Sequence, residues 1–428
     1  MENNSANTAR TLSVRIIQKV EKGAFLDEAV DYFFSRNPLS ESQKGFIYEM
    51  AAGAIRWKSY FNWVLSLYAK RPVGDDLRYL LWISLYQISF MQKAPYHVVN
   101  EVVSYAKQGK GKRTANFVNA ILRQYLRDRD ALHGAETSRL AADDLSIQHS
   151  FPEWITERWI KRFGRQKTID LLTILNKTPE FALRVNEKKI SVEEAAGQLE
   201  GDGIGITMGA LSPTALHVKK LTPVLQHRLF QQGVVTVQDE MSQLVGLSVG
   251  PQTGDRVLDA CAGSGTKTHH IKDIAAHVSI VSMDREAGRL GLVRNEGNRV
   301  LGDAFRPPFK EESFDAILVD APCSSLGIIR KHPEIKWHRR AKDIGVLGDS
   351  QAKLLEALWR ILKKGGRMIY SVCSFEPEET TDVIERFGGS VKFTLENPMP
   401  FLFNKEYLLS LPHETGMDGF FIAKLRKL

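Results

Sequence analysis

The chain has 428 residues, more than one ordinary domain holds, and its 43% hydrophobic and 25% charged residues are typical of a globular protein with sizeable cores. Its formal net charge of +8 favours an anionic partner such as nucleic acid. The three cysteines, Cys261, Cys323 and Cys373, are too few for a disulfide framework and show no zinc-ligand spacing, so a metal site is not expected.

The N-terminal third of the chain is predicted to be helical. Its first ten residues are polar, unlike a signal peptide, and with the sparse cysteines they predict a cytoplasmic protein. From Ala9 to about Arg129 apolar residues recur every three or four positions, and no strand is predicted before residue 180. The longest apolar run, Tyr79 to Met91, is too short to span a membrane. Helices should pack around the apolar residues of this run: Leu80, Leu81, Ile83, Leu85 and Ile88.

The pattern changes after a polar stretch, Asp130 to Asp144, that is predicted to be a linker. A small α/β unit follows as far as about Gln232, and from Val234 strands and helices alternate regularly, which predicts a doubly wound, largely parallel sheet. The elements predicted in the small unit are helices near Glu153–Phe163, Gln166–Leu175 and Val192–Leu199, and strands near Phe181–Val185, Ile204–Thr207 and Leu216–Val218.

A glycine-rich turn after the strand Arg256–Leu258 is a candidate cofactor loop. Backbone N–H groups at such a strand-to-helix turn can approach a ligand closely. Asp284 and Asp303 end the next two predicted strands, where carboxylates suit the ribose and the adenine of a nucleoside. The glycines alone are equally compatible with an ordinary turn, and Thr268 at the third glycine position disfavours a dinucleotide. The loop reads Asp259, Ala260, Cys261, Ala262, Gly263, Ser264, Gly265, Thr266, Lys267 and Thr268.

Two cysteines follow two further predicted strands. Ala316–Val319 ends in Asp320-Ala-Pro-Cys323, and Met368–Tyr370 leads to Ser-Val-Cys373. Ligands bind outside the carboxyl ends of parallel strands, so these thiols should face the same crevice as the cofactor loop. A structural disulfide between them is disfavoured in a cytosolic protein, whereas Cys261, inside the loop, is interpreted as a small space-filling residue.

One nucleophilic cysteine, one carboxyl group and one further proton-handling group would suffice for methylation at carbon 5 of a cytosine, and these residues can supply all three. A thiolate that adds to carbon 6 raises the electron density at carbon 5, which by itself is a poor nucleophile. An acid near N3 stabilises the charge that develops there, and a base must afterwards remove the proton from carbon 5.

At these residues the chain resembles the Sun or Fmu group of cytosine-5 RNA methyltransferases. The resemblance rests on Asp320-Ala-Pro-Cys-Ser-Ser-Leu-Gly-Ile-Ile-Arg-Lys-His-Pro-Glu-Ile-Lys-Trp337, on Tyr370-Ser-Val-Cys-Ser-Phe-Glu-Pro-Glu-Glu379 and on Asp418-Gly-Phe-Phe-Ile-Ala-Lys424. It covers the whole chain and implies a multidomain fold. Its parts would be an all-α NusB-like RNA-binding domain at 1–130, a linker at 131–145, a small α/β RNA-binding extension at 146–232 and a Rossmann-like doubly wound α/β methyltransferase domain at 233–428.

The resemblance also implies the roles of the site residues. Cys373 would attack the base, Cys323 would help to remove the carbon-5 proton, and Asp320 would contact N3. In DNA cytosine methyltransferases the cysteine after the proline is the nucleophile instead, so the order of the two thiols stays open. S-adenosylmethionine would be the cofactor, bound by Asp259, Ala260, Cys261, Ala262, Gly263, Ser264, Gly265, Thr266, Lys267, Asp284, Arg289, Asp303 and Asp320.

The chain departs from the family pattern in its cofactor loop. The family loop usually reads Ala-Ala-Pro-Gly-Gly-Lys-Thr, and here Thr266 replaces a glycine, which would be strained if that position required a positive φ. The stretch from Asp284 to Asp303 is also shorter than usual. Both departures are expected to affect the affinity for the cofactor and to leave the thiol chemistry unchanged.

Ribosomal RNA is the expected partner, specifically 16S rRNA, with transfer RNA as the alternative substrate. A non-catalytic RNA-binding assembly factor is the competing hypothesis of another class, and a monomer is expected.

Trp337 could stack on a base or pack against the sheet. The basic stretch Lys107 to Arg113 is predicted to be a flexible loop that binds phosphate. An ordinary solvated charged loop is the alternative interpretation of the same residues. The residues predicted to bind RNA are Lys110, Lys112, Arg113, Arg330, Lys331, His332 and Lys336.

Overall fold

The computed structural model describes residues 2–91, 93–133, 144–275, 277–293 and 298–428. The chain divides into two compact units. The helical unit comprises Met1–Lys177 and Ile329–Ala341, and the sheet unit comprises Thr178–Ile328 and Lys342–Leu428. Most of the predicted linker, positions 134–143, lies outside the described residues, and the predicted domain boundaries stay a prediction.

The helical unit is built on an apolar core, as the three- and four-residue spacing predicts. Leu80, Leu81, Ile83, Leu85 and Ile88 are all buried in it, and no described residue before Phe181 lies in a strand. The helices are α1 Glu2–Glu21, α2 Leu26–Phe34, α3 Glu41–Arg56, α4 Lys58–Tyr68, α5 Asp75–Ser89, α6 Pro95–His133, α7 Leu145–Gln148, α8 Glu153–Phe163 and α9 Arg165–Asn176.

The predicted basic loop at Lys107 to Arg113 is instead part of helix α6. Only Gly111 departs from helical geometry, with φ 84° and ψ 173°, so the helix is interrupted at a single residue. Glycine adopts this backbone conformation without steric cost, which explains why one residue is enough to interrupt the helix.

A segment from the second half of the sequence completes the helical unit. We call Ile329–Ala341 the return segment; it contains the short helix α16, Ile335–His338. Its backbone and side chains bond to the first helices. The Arg56 guanidinium donates to the Arg330 carbonyl at 2.8 Å, the Leu26 N–H donates to Glu334 Oε1 at 3.0 Å, and Trp337 Nε1 donates to the Ile55 carbonyl at 2.8 Å. Trp337 therefore packs in the helical unit, not against the sheet.

The sheet unit begins with a four-stranded antiparallel sheet in the order β2-β3-β1-β4. Its core is formed by buried residues of β1 and the helix behind it, including Leu183, Val185, Ala195 and Leu199. The strands are β1 Phe181–Val185, β2 Ile206–Met208, β3 Ala215–Val218 and β4 Val235–Val237; the helices are α10 Val192–Gly201, α11 Leu221–Gln226 and α12 Arg228–Gln231.

An eight-stranded sheet forms the rest of the unit. Its order is β10-β12-β9-β8-β5-β6-β7, with β11 also paired to β12. The five strands from β9 to β7 are parallel, as predicted, whereas β10, β11 and β12 are antiparallel at one edge. The strands are β5 Arg256–Asp259, β6 Ser279–Asp284, β7 Arg299–Leu301, β8 Phe314–Asp320, β9 Leu362–Val372, β10 Phe393–Glu396, β11 Tyr407–Ser410 and β12 Phe420–Lys427.

Both faces of this sheet are covered, which explains the unbroken apolar run of β8. Ala316 and Leu318 are buried in one core, and Ile317 and Val319 are buried in another, because successive side chains point to opposite faces. The accompanying helices are α13 Glu240–Val249, α14 Thr266–Ile274, α15 Ala287–Leu290, α17 Ala341–Trp359, α18 Thr381–Ser390 and α19 Pro412–Thr415, with 3-10 turns at Leu326–Ile328 and Pro377–Glu379. Throughout the described ranges, every helix is too short or too polar to cross a bilayer.

Candidate active site

A cavity of about 590 Å³ opens at the carboxyl ends of the parallel strands. The ends of β5, β6, β8 and β9 and the turn after β7 all contribute to it, because parallel strands deliver their following turns to one edge of the sheet. The predicted residues that line it are Asp259, Ala260, Cys261, Ala262, Gly263, Ser264, Thr266, Lys267, Asp284, Arg289, Asp303, Asp320, Cys323 and Cys373. Within the described part of the chain, no group of three or more His, Cys, Asp or Glu residues could hold a metal ion.

The cofactor loop turns on two glycines. Gly263 and Gly265 have φ values of 55° and 85°, in the left-handed region, and a Cβ on Gly265 would lie 2.9 Å from Val293 Cγ1. Thr266 is the first residue of α14 and is not among the residues with positive φ. Its replacement of the family glycine therefore introduces no backbone strain.

Two carboxylates lie beyond this loop. Asp284 Oδ2 accepts the N–H of Gly263 at 2.8 Å, so the end of β6 is bonded directly to the glycine turn. Asp303 Oδ1 accepts the N–H of Phe305 at 3.0 Å. The side chains of Leu292 and Phe305 also line the cavity and add apolar surface beside these carboxylates. This combination suits a nucleoside, which presents both hydroxyl groups and a flat ring.

Asp259 supplies a buried acceptor at the start of the loop. Its Oδ2 accepts the Thr268 hydroxyl at 2.7 Å, whereas Oδ1 is buried and has no hydrogen-bond partner. Burial raises the pKa of this carboxyl to about 6. An unpaired buried oxygen is costly, and a cationic amino group would satisfy it. The cavity residues thus fit a nucleoside cofactor that carries an amino-acid tail.

Lys267 links the cofactor loop to the end of β8. Its ammonium forms an ion pair with Asp320 Oδ2, and the Ser371 hydroxyl donates to Asp320 Oδ1 at 2.8 Å. Burial by itself favours the neutral amine, but the charge of Asp320 and its hydrogen bond outweigh burial and raise the pKa of Lys267. Asp320 is thereby held in one orientation with an ammonium group beside it.

The two predicted catalytic thiols are in contact. Cys323 Sγ lies 3.2 Å from Cys373 Sγ, and both are free cysteines. The pKa of Cys323 is raised well above its usual range, first by the hydrogen bond to Cys373 and then by burial. Cys373, at the end of β9, is less buried. Cys261 has its pKa raised by burial and stays a neutral thiol, as expected of a space-filling residue.

A buried glutamate braces the two turns that carry these thiols. Glu379 Oε1 accepts the N–H of Ser324 at 2.7 Å, and Oε2 accepts the hydroxyls of Ser324 and Ser374 at 2.5 and 2.6 Å. Ser324 and Ser374 each follow one of the cysteines directly. Burial raises the pKa of Glu379, while the hydroxyl and N–H donors act in the opposite direction.

Comparison with known proteins identifies the family. Family models match residues 7–127 (NusB family), 151–225 (RsmF/B-like methyltransferase, ferredoxin-like domain) and 247–426 (16S rRNA methyltransferase RsmB/F). The chain is 32% identical to ribosomal RNA small subunit methyltransferase B of Cronobacter sakazakii, over 98% of each chain. It is 30% identical to the probable ribosomal RNA small subunit methyltransferase B of Bacillus subtilis, over 98% of this chain and 99% of that one. The chain belongs to the ribosomal RNA small subunit methyltransferase B family.

Solved structures agree with this fold. The crystal structure of PH0851 matches with a TM-score of 0.80 at 23% identity, over 98% of this chain and 99% of that one. NSun6 from Pyrococcus horikoshii, solved with SFG, matches with a TM-score of 0.58 at 20% identity, over 65% of this chain and 99% of that one. The predicted fold class is confirmed. For the small subunit methyltransferase B family, S-adenosylmethionine as the cofactor is confirmed as well.

The residues predicted to bind RNA lie in the helical unit and differ in their exposure. Lys112 and Arg113 are exposed, and Lys110 is exposed but forms an ion pair of 3.0 Å with Asp76. His332 Nδ1 lies 3.8 Å from carboxylate oxygens of Asp27 and Glu334. An RNA contact by these residues stays a prediction.

Arg330 and Lys331 belong to the return segment. Arg330 is buried, and the Lys331 carbonyl accepts the hydroxyl of Tyr48 at 3.5 Å. Lys336 is fully buried, with its ammonium 3.9 Å from the centre of the Phe151 ring. In this structure Lys336 is not exposed to a phosphate group, which corrects the expectation.

The sequence patterns did not single out three of the residues that organise the site. Ser325 contacts both thiols, Ser371 orients Asp320, and Glu379 braces both turns. Serine and glutamate are common residue types on protein surfaces, so nothing in the sequence distinguishes these three. These residues find their partners only in the folded sheet, where the ends of β8 and β9 lie side by side.

Proposed function

We propose that the protein methylates carbon 5 of a cytosine in 16S ribosomal RNA through a covalent bond between Cys373 and carbon 6 of the base. One observation carries the proposal: the two thiols lie 3.2 Å apart in the cavity that also contains Asp320 and the cofactor loop. S-adenosylmethionine supplies an electrophilic methyl group when it is bound beside them.

The assignment of Cys373 as nucleophile rests on the different surroundings of the two thiols. The hydrogen bond to Cys373 and burial raise the pKa of Cys323, which keeps it protonated and disfavours it as the attacking group. The positive charge of Lys267, for its part, is stabilised by the charges of Asp320, Asp259 and a Cys373 thiolate. A thiolate at Cys373 therefore has both an S–H donor and a nearby cation.

The chemistry then runs through groups that the cavity holds. The Cys373 thiolate forms a bond to carbon 6, and the ring electrons move toward carbon 5 and N3. Asp320 lies beside N3 and holds the Lys267 ammonium there, and that positive charge offsets the negative charge that develops on N3. Carbon 5 takes the methyl group and now carries both the methyl and its original proton.

Release of the product returns the enzyme to its first state. With the Cys373 sulfur bound as a thioether, its hydrogen bond and charge no longer raise the pKa of Cys323; burial still does, but Cys323 now loses its proton to solvent more readily than in the free enzyme. The Cys323 thiolate takes the proton from carbon 5 as the bond from carbon 6 to Cys373 breaks, and Cys373 leaves as a thiolate.

The substrate is inferred from relatives and from the domain content. The named relatives are ribosomal RNA small subunit methyltransferases, and the N-terminal residues match the NusB family. NSun6 was solved with SFG, an S-adenosylmethionine analogue. A cytoplasmic location and a monomeric state remain predictions of the sequence.

The test combines product analysis with trapping of the adduct. The protein is incubated with radiolabelled S-adenosylmethionine and unmodified 16S rRNA or transfer RNA, and the RNA is digested to nucleosides. Label in 5-methylcytidine from 16S rRNA is the expected result. Label from transfer RNA alone would mean that transfer RNA is the substrate. Bound RNA without label from either would favour a non-catalytic assembly factor.

Variants of the two thiols test their order. Cys323→Ser should form the bond to carbon 6 but release it slowly, so that a denaturation-resistant protein–RNA adduct accumulates. Cys373→Ser and the double variant should form none. An adduct with Cys373→Ser and none with Cys323→Ser would reverse the two roles.

A further inference from the structure

We propose that Ser325 is a positioning residue for the reaction, presenting its hydroxyl to Cys373 and its backbone N–H to Cys323. The inference rests on the proposed covalent mechanism and adds a residue to it. Ser325 lies two positions after Cys323 and lines the same cavity. Its Oγ is 3.3 Å from Cys373 Sγ and 3.8 Å from Cys323 Sγ.

The backbone of Ser325 has an unusual conformation. Its φ is +63°, a left-handed value that side chains with a Cβ adopt at a cost in free energy. Three other described non-glycine residues share this feature, Ser150, His277 and Glu312, and none of them lines the reaction cavity. A strained residue at the reacting groups, where glycine would be relaxed, indicates that its side chain has a use there.

The surrounding turn holds Ser325 in this conformation. The N–H of Gly327 donates to the carbonyl of Cys373 at 3.0 Å, which ties the turn to the end of β9. The Gly419 N–H donates to the Gly327 carbonyl at 2.9 Å, and a Cβ on Gly327 would lie 1.9 Å from the Gly419 carbonyl oxygen. Glu379 holds the preceding residue, Ser324, through its N–H and hydroxyl.

Because the turn is fixed, Ser325 contacts the two sulfurs through two different groups. The Ser325 N–H is directed at the Cys323 sulfur. In the structure the Cys373 S–H donates to the Ser325 Oγ at 3.3 Å, and the hydroxyl can rotate to donate to that sulfur when it is a thiolate. A hydrogen bond to a charged group is among the stronger ones, so the hydroxyl favours the charged state at the attacking sulfur. Ser325 thereby directs a hydrogen-bonding group at the sulfur that attacks the base.

The experiment measures the reactivity of Cys373 with and without this hydroxyl. In the full-length protein, iodoacetamide modification of Cys373 is followed by peptide mass spectrometry from pH 6 to pH 10, in wild type and in Ser325→Ala. Alanine keeps the Cβ and the strained backbone but lacks the hydroxyl. We expect alkylation at pH 7 to slow about 10-fold, with the rate recovering at high pH.

A second readout uses RNA. In the Cys323→Ser background, Ser325→Ala should slow formation of the covalent adduct about 10-fold at pH 7, with RNA binding unchanged. Ser325→Gly, which also lacks the hydroxyl but relaxes the backbone, should show the same loss and a higher Tm. Glu312→Gly relaxes a positive φ of +52° away from the cavity and is the control for that rise in Tm.

Two results would overturn the inference: an alkylation profile that Ser325→Ala leaves unchanged, or wild-type adduct formation in Ser325→Gly. The alkylation readout needs no RNA, so its outcome is separate from that of the methylation assay. A changed alkylation profile without any 5-methylcytidine would refute the proposed function and leave the role of Ser325 at the thiol intact.

Discussion

Lys336 shows how strongly the surroundings of a single residue can depart from its sequence context. It lies in a basic stretch, yet its ammonium is buried beside the Phe151 ring and donates to Asn176 Oδ1 at 3.2 Å. Burial, and then the positive charges of Arg56 and Lys58, lower the pKa of Lys336 well below its usual value. The aromatic ring acts in the opposite direction, because its face attracts a cation.

Lys336→Met should therefore stabilise the protein near neutral pH, by about 1 kcal/mol or more. Between the lowered folded-state pKa and the ordinary value of 10.5, the unfolded chain binds more protons at this lysine than the folded chain does. The free energy of unfolding of wild type thus rises with pH through that window. Urea unfolding at pH 7 and pH 9.5 should show the advantage of Lys336→Met shrinking as pH rises.

Lys342→Met is the matched control, because Lys342 is exposed. It should change the free energy of unfolding little, and equally at both pH values. A Lys336→Met protein that is less stable than wild type at pH 7 would mean that the charged ammonium over the aromatic ring is a net stabilising interaction.

At the scale of an element, the cofactor loop offers a matched pair of glycines. Both have positive φ, but a Cβ on Gly263 would meet no atom within 4 Å, whereas one on Gly265 would lie 2.9 Å from Val293. Gly263→Ala should cost only the backbone strain, about 1 kcal/mol, and Gly265→Ala should cost more and shift the start of α14. Calorimetric titration should therefore show weaker S-adenosylmethionine binding for Gly265→Ala than for Gly263→Ala.

The pair of variants also separates two views of the loop. Equal affinities in both would show that the turn adapts to Val293 without moving the residues that bind the cofactor. Thermal unfolding of the same variants reports whether the cost falls on the folded state or on binding.

The brace between the turns after β8 and β9 depends on one carboxylate. Glu379→Ala removes the acceptor for the Ser324 N–H and for two hydroxyls, and it should cost about 2–3 kcal/mol of stability because these donors are buried. It should also slow methylation more than it weakens RNA binding, since both cysteines lie beside the brace. Denaturant unfolding and single-turnover methylation measure the two effects.

Glu385→Ala, an exposed glutamate on the following helix α18, is the control and should leave both quantities close to wild type. If Glu379→Ala lost stability but methylated RNA at the wild-type rate, the brace would be structural only.

The elements that the sequence predicted well are those whose pattern is local. The β8 strand was evident from four consecutive apolar residues, and Asp320, Cys323 and Cys373 follow strand ends, where parallel topology collects ligand-binding groups. The role of Glu379 could not be predicted, because its partner Ser324 lies 55 residues away in the chain, after a different strand. The antiparallel edge strands likewise depend on pairing partners that periodicity does not reveal.

For the whole molecule, the return segment is the feature that no local pattern indicated. Its basic residues follow Cys323 closely in the sequence, near where the substrate is expected to enter, and RNA contacts are therefore expected of them. Glu334, Ile335 and Lys336 are instead buried in the helical unit. Tertiary packing with helices from the start of the chain decides their position.

Trp337→Ala should destabilise the helical unit by about 3 kcal/mol, because it removes a large packed side chain and leaves the Ile55 carbonyl without its donor. Hydrogen exchange with mass spectrometry should show faster exchange in helices of the helical unit than in β5 and β8. Phe401→Ala, at an exposed aromatic residue of the sheet unit, is the control. Equal acceleration in both units would mean that they unfold as one cooperative body.

The return segment has a consequence for synthesis on the ribosome. Translation proceeds from the N-terminus, and domains usually fold as they emerge. Here the first 177 residues emerge long before Ile329–Ala341, the segment that completes the helical unit. The residues that hold the catalytic turn, Cys373, Glu379 and Gly419, follow later still, so the nascent chain holds every segment of its N-terminal core before it holds those of its active site.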